Sequence, residues 1–261
     1  MTLFRVRRGR VTLPTHQVAV WEAGSGPPVV LVHAAWGSGE LWEPQMQSVA
    51  AAGLRVVAWS RRGHRGSDPG PADDAGTMTG DLVAVLDALG LAQVHLVGTA
   101  IGGFAAAAAA IQHPERLLSV TLAASLCGVN DPDFVAETAR LVPSELEALP
   151  PELRELSAAY RYAHPAGAAR WSMLTGRAVE RRVLQPPGVE VTRARLAAVR
   201  VPALFVAGEA DHYMPPARMA ALADGVPDAR LVVVPAAGHS PAWENPAAFD
   251  RALLDHVRAH A

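Results

Sequence analysis

The chain contains no lysine; all 23 of its basic side chains are arginine. Schiff-base chemistry on a lysine amine is therefore excluded. Cysteine is almost as scarce. Cys127 stands alone, which rules out an internal disulfide, a zinc ribbon and a CxxC redox site. Neither sign of charge dominates: 23 arginines face 25 acidic residues, for a formal net charge of -2. Such a balance gives no electrostatic basis for binding nucleic acid or an anionic membrane surface. Long hydrophobic runs are also missing. The alanine run Ala105 to Ala110 falls far short of the roughly 18 to 20 apolar residues of a membrane span. The opening MTLFRVRRGR lacks the apolar stretch that follows the basic region of a signal peptide, and the expected location is the cytoplasm. The histidines show no metal-ligand spacing, so neither a metal nor another cofactor is expected.

What is present is enough apolar material for one large core, half of 261 residues. Short β-rich runs alternate with longer helical patterns, the signature of βαβ units and a mostly parallel sheet. Val29 to Val32 and Arg55 to Trp59 read as strands buried on both faces. Val18 to Trp21 reads as an early antiparallel strand, and the spaced Arg5, Arg7, Arg8 and Arg10 as an exposed edge strand. Val94 to Val97, Leu118 to Ala123, Ala203 to Ala207 and Leu231 to Val234 supply further strands. Helices are expected over Leu41 to Ala52, Asp81 to Leu89 with Gly90 as its stop, Phe104 to Gln112 and Phe249 to Val257. From about Gly128 to Arg200 the strand signal vanishes. Pro-punctuated helical segments replace it, at Val135 to Leu141, Glu152 to Tyr162 and Ala194 to Val199. The expected organisation is a core built from residues 1–127 and 201–261, with a helical insertion, 128–200, covering one end of the sheet.

Chemistry concentrates at Gly98-Thr99-Ala100-Ile101-Gly102, a tight glycine-flanked turn between a strand and a helix. It matches the nucleophile elbow G-x-S-x-G at every position but the central one. A dinucleotide-binding loop would need G-x-G-x-x-G after the first strand, and these glycines come too late and at the wrong spacing. The segments around Val29 to His33, Ser60 to Ser67, the elbow, Gly208 to Asp211 and Gly238-His239 follow in the order of the α/β-hydrolase superfamily. Over nearly its whole length the chain resembles the cap-bearing enol-lactonase, C–C hydrolase and esterase members. The resemblance implies an α/β-hydrolase fold, with a mostly parallel sheet, flanking helices and a helical cap. It also implies a Ser-His-Asp site in which Ala100 holds the nucleophile's place, Asp211 is the acid and His239 the base. Glu209 is an alternative acid.

By the same carry-over, the amides of Ala35 and Ile101 would form the oxyanion hole, although Ala34 replaces the glycine usual after His33. His33, Trp36, Ser125, Tyr160, Trp171 and His212 are candidate pocket residues, and Tyr162 and Met173 candidates for the cap's inner surface. His64 matches a structural loop of the family. Thr99 and Ser125 are nearby hydroxyls, but neither has the apex position of a nucleophile. The expected partner is a small carbonyl substrate, with no nucleic acid or membrane, in a monomer or homodimer.

Alanine cannot form an acyl-enzyme. Three readings of Ala100 follow. A serine replaced in an otherwise intact hydrolase accounts for the retained glycines, acid and histidine. A naturally serine-free enzyme (a lyase, decarboxylase, cyclase or dioxygenase, or one activating water) would use the His239–Asp211 pair as its base. A receptor for a small apolar ligand would need neither.

Overall fold

The computed structural model describes residues 4–142 and 144–261; the first three residues of the expected core segment and residue 143 of the insertion lie outside the described residues. Among the described residues eight strands form one sheet. They are β1 (Arg7–Thr12), β2 (Gln17–Ala23), β3 (Pro28–Val32), β4 (Arg55–Trp59), β5 (Val94–Thr99), β6 (Leu117–Ala123), β7 (Ala203–Gly208) and β8 (Arg230–Val234). Their spatial order is β1-β2-β4-β3-β5-β6-β7-β8. The β1–β2 and β2–β4 pairings are antiparallel, and the rest are parallel. β1 is the exposed arginine-bearing edge.

Alternation along the central strands divides the core in two. Val30 and Val32 pack with α2 (Met78–Ala88), α3 (Gly102–Gln112) and α10 (Pro216–Asp224), whereas Val29 and Leu31 pack with α1 (Glu43–Ala51) and α12 (Pro246–Ala259). The period of two thus puts helices on both faces, as a parallel sheet requires. Ala105 to Ala110 are all buried; with methyl side chains only, α3 lies close against β5 and β6, beneath the elbow.

Between β6 and β7 the chain forms α4 (Pro132–Leu141), α5 (Ser144–Glu147), α6 (Pro151–Glu155), α7 (Ala158–Ala163), α8 (Pro165–Gly176) and α9 (Arg193–Ala197). The continuous helix expected over Glu152 to Tyr162 is broken. Ser157 takes an extended backbone, its hydroxyl caps α7 by accepting from the Tyr160 amide, and it donates to the Ala236 carbonyl. A serine that satisfies both a helix start and a distant loop outcompetes the two helical bonds that a continuous segment would add. The sequence pattern does not mark α8 or α10, because alanine, proline and, in α8, glycine blur the helical period. α11 (Pro241–Glu244) and α12 close the chain.

Candidate active site

The elbow is the turn from β5 into α3. Ala100 at its apex has φ +48°, a left-handed conformation costly for any residue with a Cβ. Three hydrogen bonds hold it there: the Ala100 amide donates to Ala123 O at 2.9 Å, while its carbonyl accepts from the Gly103 amide at 3.0 Å and the Ser125 hydroxyl at 2.6 Å. The flanking glycines leave no alternative. A Cβ on Gly98 would lie 2.4 Å from Gly102 O, and one on Gly102 2.3 Å from Val32 O.

His239 follows β8 and Asp211 follows β7. The His239 Nδ1–H donates to both Asp211 oxygens, at 3.0 and 2.8 Å. Asp211 Oδ1 also accepts from the amides of Tyr213 and Met214, at 2.8 and 3.0 Å. Burial would raise this carboxyl, but His239 and the two amides hold it below the ordinary range. For His239 burial works against the charged form, yet Asp211 and Glu155 outweigh it and push its titration up to about 9. With Nδ1 committed to Asp211, Nε2 is the ring atom left to exchange a proton. Glu209 is used elsewhere, accepting the Ala236 amide at 2.8 Å; the carboxylate that orients the imidazole is Asp211.

One cavity of about 220 Å³ brings together Ala100, His239, Ala35, Ile101 and Trp36, with Ala34, Phe104, Ala124, Leu126, Arg154, Glu155 and Tyr213. Neither the Ala35 nor the Ile101 amide donates to any other group among the described residues. Two uncommitted amides beside the turn can receive a carbonyl oxygen as it gains charge. The loop carrying Ala35 is braced from below. His33 donates from Nδ1 to Ala34 O at 2.7 Å and accepts the Arg61 amide on Nε2 at 2.9 Å. His64 lies against the carbonyls of Arg62 and Ala35, with its ring 4.7 Å from that of His33. Burial, then neighbouring Arg61, lowers both imidazoles, so they brace the loop uncharged.

A model of the α/β hydrolase family matches residues 29–252. The chain belongs to this family. Over 94% of its length it is 31% identical to a protein of Variovorax paradoxus (strain S110) provisionally named a carbamate hydrolase, RutD, of which it covers 96%. It is 29% identical to rhodomycin D methylesterase DauP of Streptomyces sp. (strain C5), over 93% of this chain and 96% of that one. In three dimensions it resembles a thermophilic esterase from Thermogutta terrifontis, with a TM-score of 0.82 at 24% identity, covering 98% of this chain and 100% of the other.

Other expected pocket residues of this α/β hydrolase fall outside the cavity. Ser125 is spent beneath the elbow, donating to Ala100 O and accepting the Cys127 amide at 2.9 Å. Trp171, His33 and Thr99 line a smaller apolar hollow next door, which shares Ala34 with the main cavity. Tyr160 faces a separate depression with His164, Ala236 and Trp243. His212 is exposed and lines no part of the site, Tyr162 is 91% exposed, and Met173 lies on the outer surface near Arg170. Sequence reasoning missed Arg154 and Glu155. They come from α6, where no motif marks them. The His239 amide donates to the Glu155 carbonyl at 2.9 Å, and this contact seats α6 over the site. Among the described residues no group of three or more His, Cys, Asp or Glu side chains is placed to hold a metal, and no helix is long and apolar enough to cross a membrane.

Proposed function

We propose that this chain hydrolyses a small, largely apolar carbonyl compound, an ester, lactone or carbamate, with the Asp211-oriented His239 as base and water as nucleophile. The observation that carries this reading is the meeting of His239, two uncommitted amides and a side chain without a hydroxyl in one modest cavity. His239 Nε2 takes a proton as the water oxygen adds to the carbonyl carbon. The oxyanion rests on the Ala35 and Ile101 amides, and its electron pair then returns to expel the leaving group. The names of two relatives support this class, since carbamates and methyl esters both carry an acyl–heteroatom bond.

A second reading has its own observation. Ala100 keeps the left-handed conformation that displays a nucleophile, although a base acting on water gains nothing from it. On this reading the chain is a Ser-His-Asp hydrolase whose serine is replaced by alanine. An assay of the chain and of Ala100→Ser on p-nitrophenyl butyrate separates the two. On the water reading the chain itself turns over, and His239→Ala removes on the order of 10²- to 10⁴-fold of its rate. On the serine reading the chain is silent. Ala100→Ser then shows an acyl-enzyme burst and a gain approaching the roughly 10⁶-fold that subtilisin loses with its serine. Silence of both, with a substrate analogue still bound, sinks hydrolysis and leaves a lyase-type enzyme or a ligand-binding protein.

A further inference from the structure

The cavity holds one group that neither reading of position 100 uses. Glu155 is 8% exposed, lines the cavity with Ala100 and His239, and its carboxylate has no hydrogen-bond partner among the described residues. Every other buried carboxylate around the site is engaged. Asp211 is held by His239 and two amides. Glu244 accepts the amides of Ser157 at 2.7 Å, Gly238 at 2.8 Å and Ser240 at 3.2 Å. A buried carboxyl left without a protein partner is costly as an anion, and burial raises Glu155 above the ordinary carboxyl range. Among the described residues its cationic neighbours are Arg154, beside it on α6, and His239. Arg154 Nε is itself buried without a partner.

We propose that Glu155 is a second catalytic residue, which shares one proton with His239 across the cavity and delivers it to the leaving group. This rests on the hydrolase reading above and specifies its substrates: those whose leaving group is an alkoxide or an amine, too basic to depart without a proton. The pair's one proton rests on His239, the stronger base; in the working form it has crossed to Glu155 and left His239 neutral. Water adds to the carbonyl carbon as its proton passes to His239 Nε2. When the oxyanion's electron pair re-forms the C=O bond, the bond to the leaving oxygen or nitrogen breaks, and that atom takes the proton of Glu155. The products are the free acid and the alcohol or amine. The proton then on His239 returns to Glu155, directly or through a water, restoring the pair. His239 is faced by Asp211 from the β7–α10 loop, Glu155 from α6 and Glu244 from α11, with the Tyr213 ring 4.7 Å away. Of the three carboxylates only Glu155 lines the cavity that holds Ala100.

The test compares ethyl butyrate with p-nitrophenyl butyrate, which share an acyl group and differ in leaving-group basicity, in the wild-type chain and in Glu155→Gln. The glutamine keeps the shape, and the main-chain carbonyl that receives the His239 amide is unaltered. Circular dichroism and thermal melting confirm that the variant is folded. The ethyl ester is expected to slow by about 10²-fold or more, the scale of general acid catalysis, and the p-nitrophenyl ester by less than about 10-fold. For the wild type the ethyl-ester rate falls as pH rises through about 9, where the shared proton is lost. The variant lacks that falling limb. Equal effects on both esters, or an unchanged pH profile, overturn the proposal while leaving hydrolysis standing. Should the variant not fold, the wild type decides alone: a falling limb for the ethyl ester and none for the p-nitrophenyl ester supports the donor, and identical profiles overturn it. If the wild type hydrolyses neither ester, the hydrolase reading fails first. The imidazole of His239 is then titrated by NMR in both proteins without substrate. A lower value in Glu155→Gln supports the shared proton, and an unmoved one overturns it.

Discussion

The sheet and the helical insertion solve different problems with the same chain. In the core, strands such as β3 and β7 are buried almost along their whole length, and α3 buries eight of its eleven residues. In the insertion α4 buries only Phe134, α6 only Glu155 and α7 no residue at all. The core is held by apolar area, at roughly 1.5 to 3 kcal/mol for each large side chain fully removed from water. The insertion buries less, with Phe134, Leu196, Trp171 and Leu174 among its apolar anchors, and leans also on polar rivets. Two of these are the Ser157 amide on Glu244, at 2.7 Å, and the Gln185 amide on Asp81, at 2.8 Å. Elements fixed by area resist change at any point, whereas elements fixed by rivets give way at one. The site straddles the two: the elbow and Asp211–His239 belong to the first kind, and Glu155 to the second.

The contrast is tested most severely at the elbow. Gly102→Ala puts a methyl group 2.3 Å from Val32 O, with backbone on both sides and no flexible side chain to yield. It is expected to cost 3 kcal/mol or more, on the order of the largest core effects, as a lower urea midpoint with loss of activity. Next comes Asp81→Ala. Asp81 takes a two-pronged bond from Arg62, at 2.7 and 2.8 Å, in the core and the Gln185 amide from the insertion. Removing it strands a buried guanidinium, which costs about 3 to 5 kcal/mol. Protease cleavage near Gln185 should quicken by more than the global loss of stability accounts for, because the rivet opens before the sheet does.

Those expectations also show what could be read from the sequence and what could not. Strands were legible to within a residue or two wherever both faces are covered, because a short continuous apolar run admits few other fates. Asp211 and His239 were legible because each follows a strand end in a set order. Their pairing is a consequence of β7 and β8 lying side by side. Glu155 was not legible. Its place depends on a main-chain bond from the His239 loop, and main-chain groups leave no mark on side-chain sequence. The break at Ser157 was hidden for a related reason, since a serine capping a helix and a serine exposed within one look alike until the partner at Ala236 is known. Ser125 reads as a pocket residue because sequence places it beside the elbow without showing that the hydroxyl turns beneath it.

A milder test is Glu244→Gln, which keeps the shape but loses the charge that three amides share. Charge-assisted bonds of this kind are worth about 1.5 to 3 kcal/mol. Because the Gly238 and Ser240 amides flank His239, a lower kcat should accompany a Tm lower by several degrees.

The pH dependence of stability separates the same regions without a mutation. His239 titrates above the ordinary imidazole value, so its contribution is complete below that value and is lost as pH rises through about 9. Asp211 titrates below the ordinary carboxyl value, so its contribution is present above that value and is lost as pH falls through the folded one. Stability from the pair should therefore peak between the two. In Asp211→Asn the peak should flatten, as read from Tm against pH.

The smallest effect is expected on the insertion's outer face, at Arg170→Ala. Arg170 pairs with Glu43 of α1, but both side chains are more than half exposed. Solvent-exposed pairs contribute about 0 to 1 kcal/mol, so Tm and kcat/KM should barely move, and less still in high salt. This null result carries weight in the comparison. If so exposed a bridge between α8 and α1 did change turnover, the insertion would be positioned by its rim as well as by its buried anchors. Glu155 would then owe its place over the cavity to surface charge and not to the His239 amide.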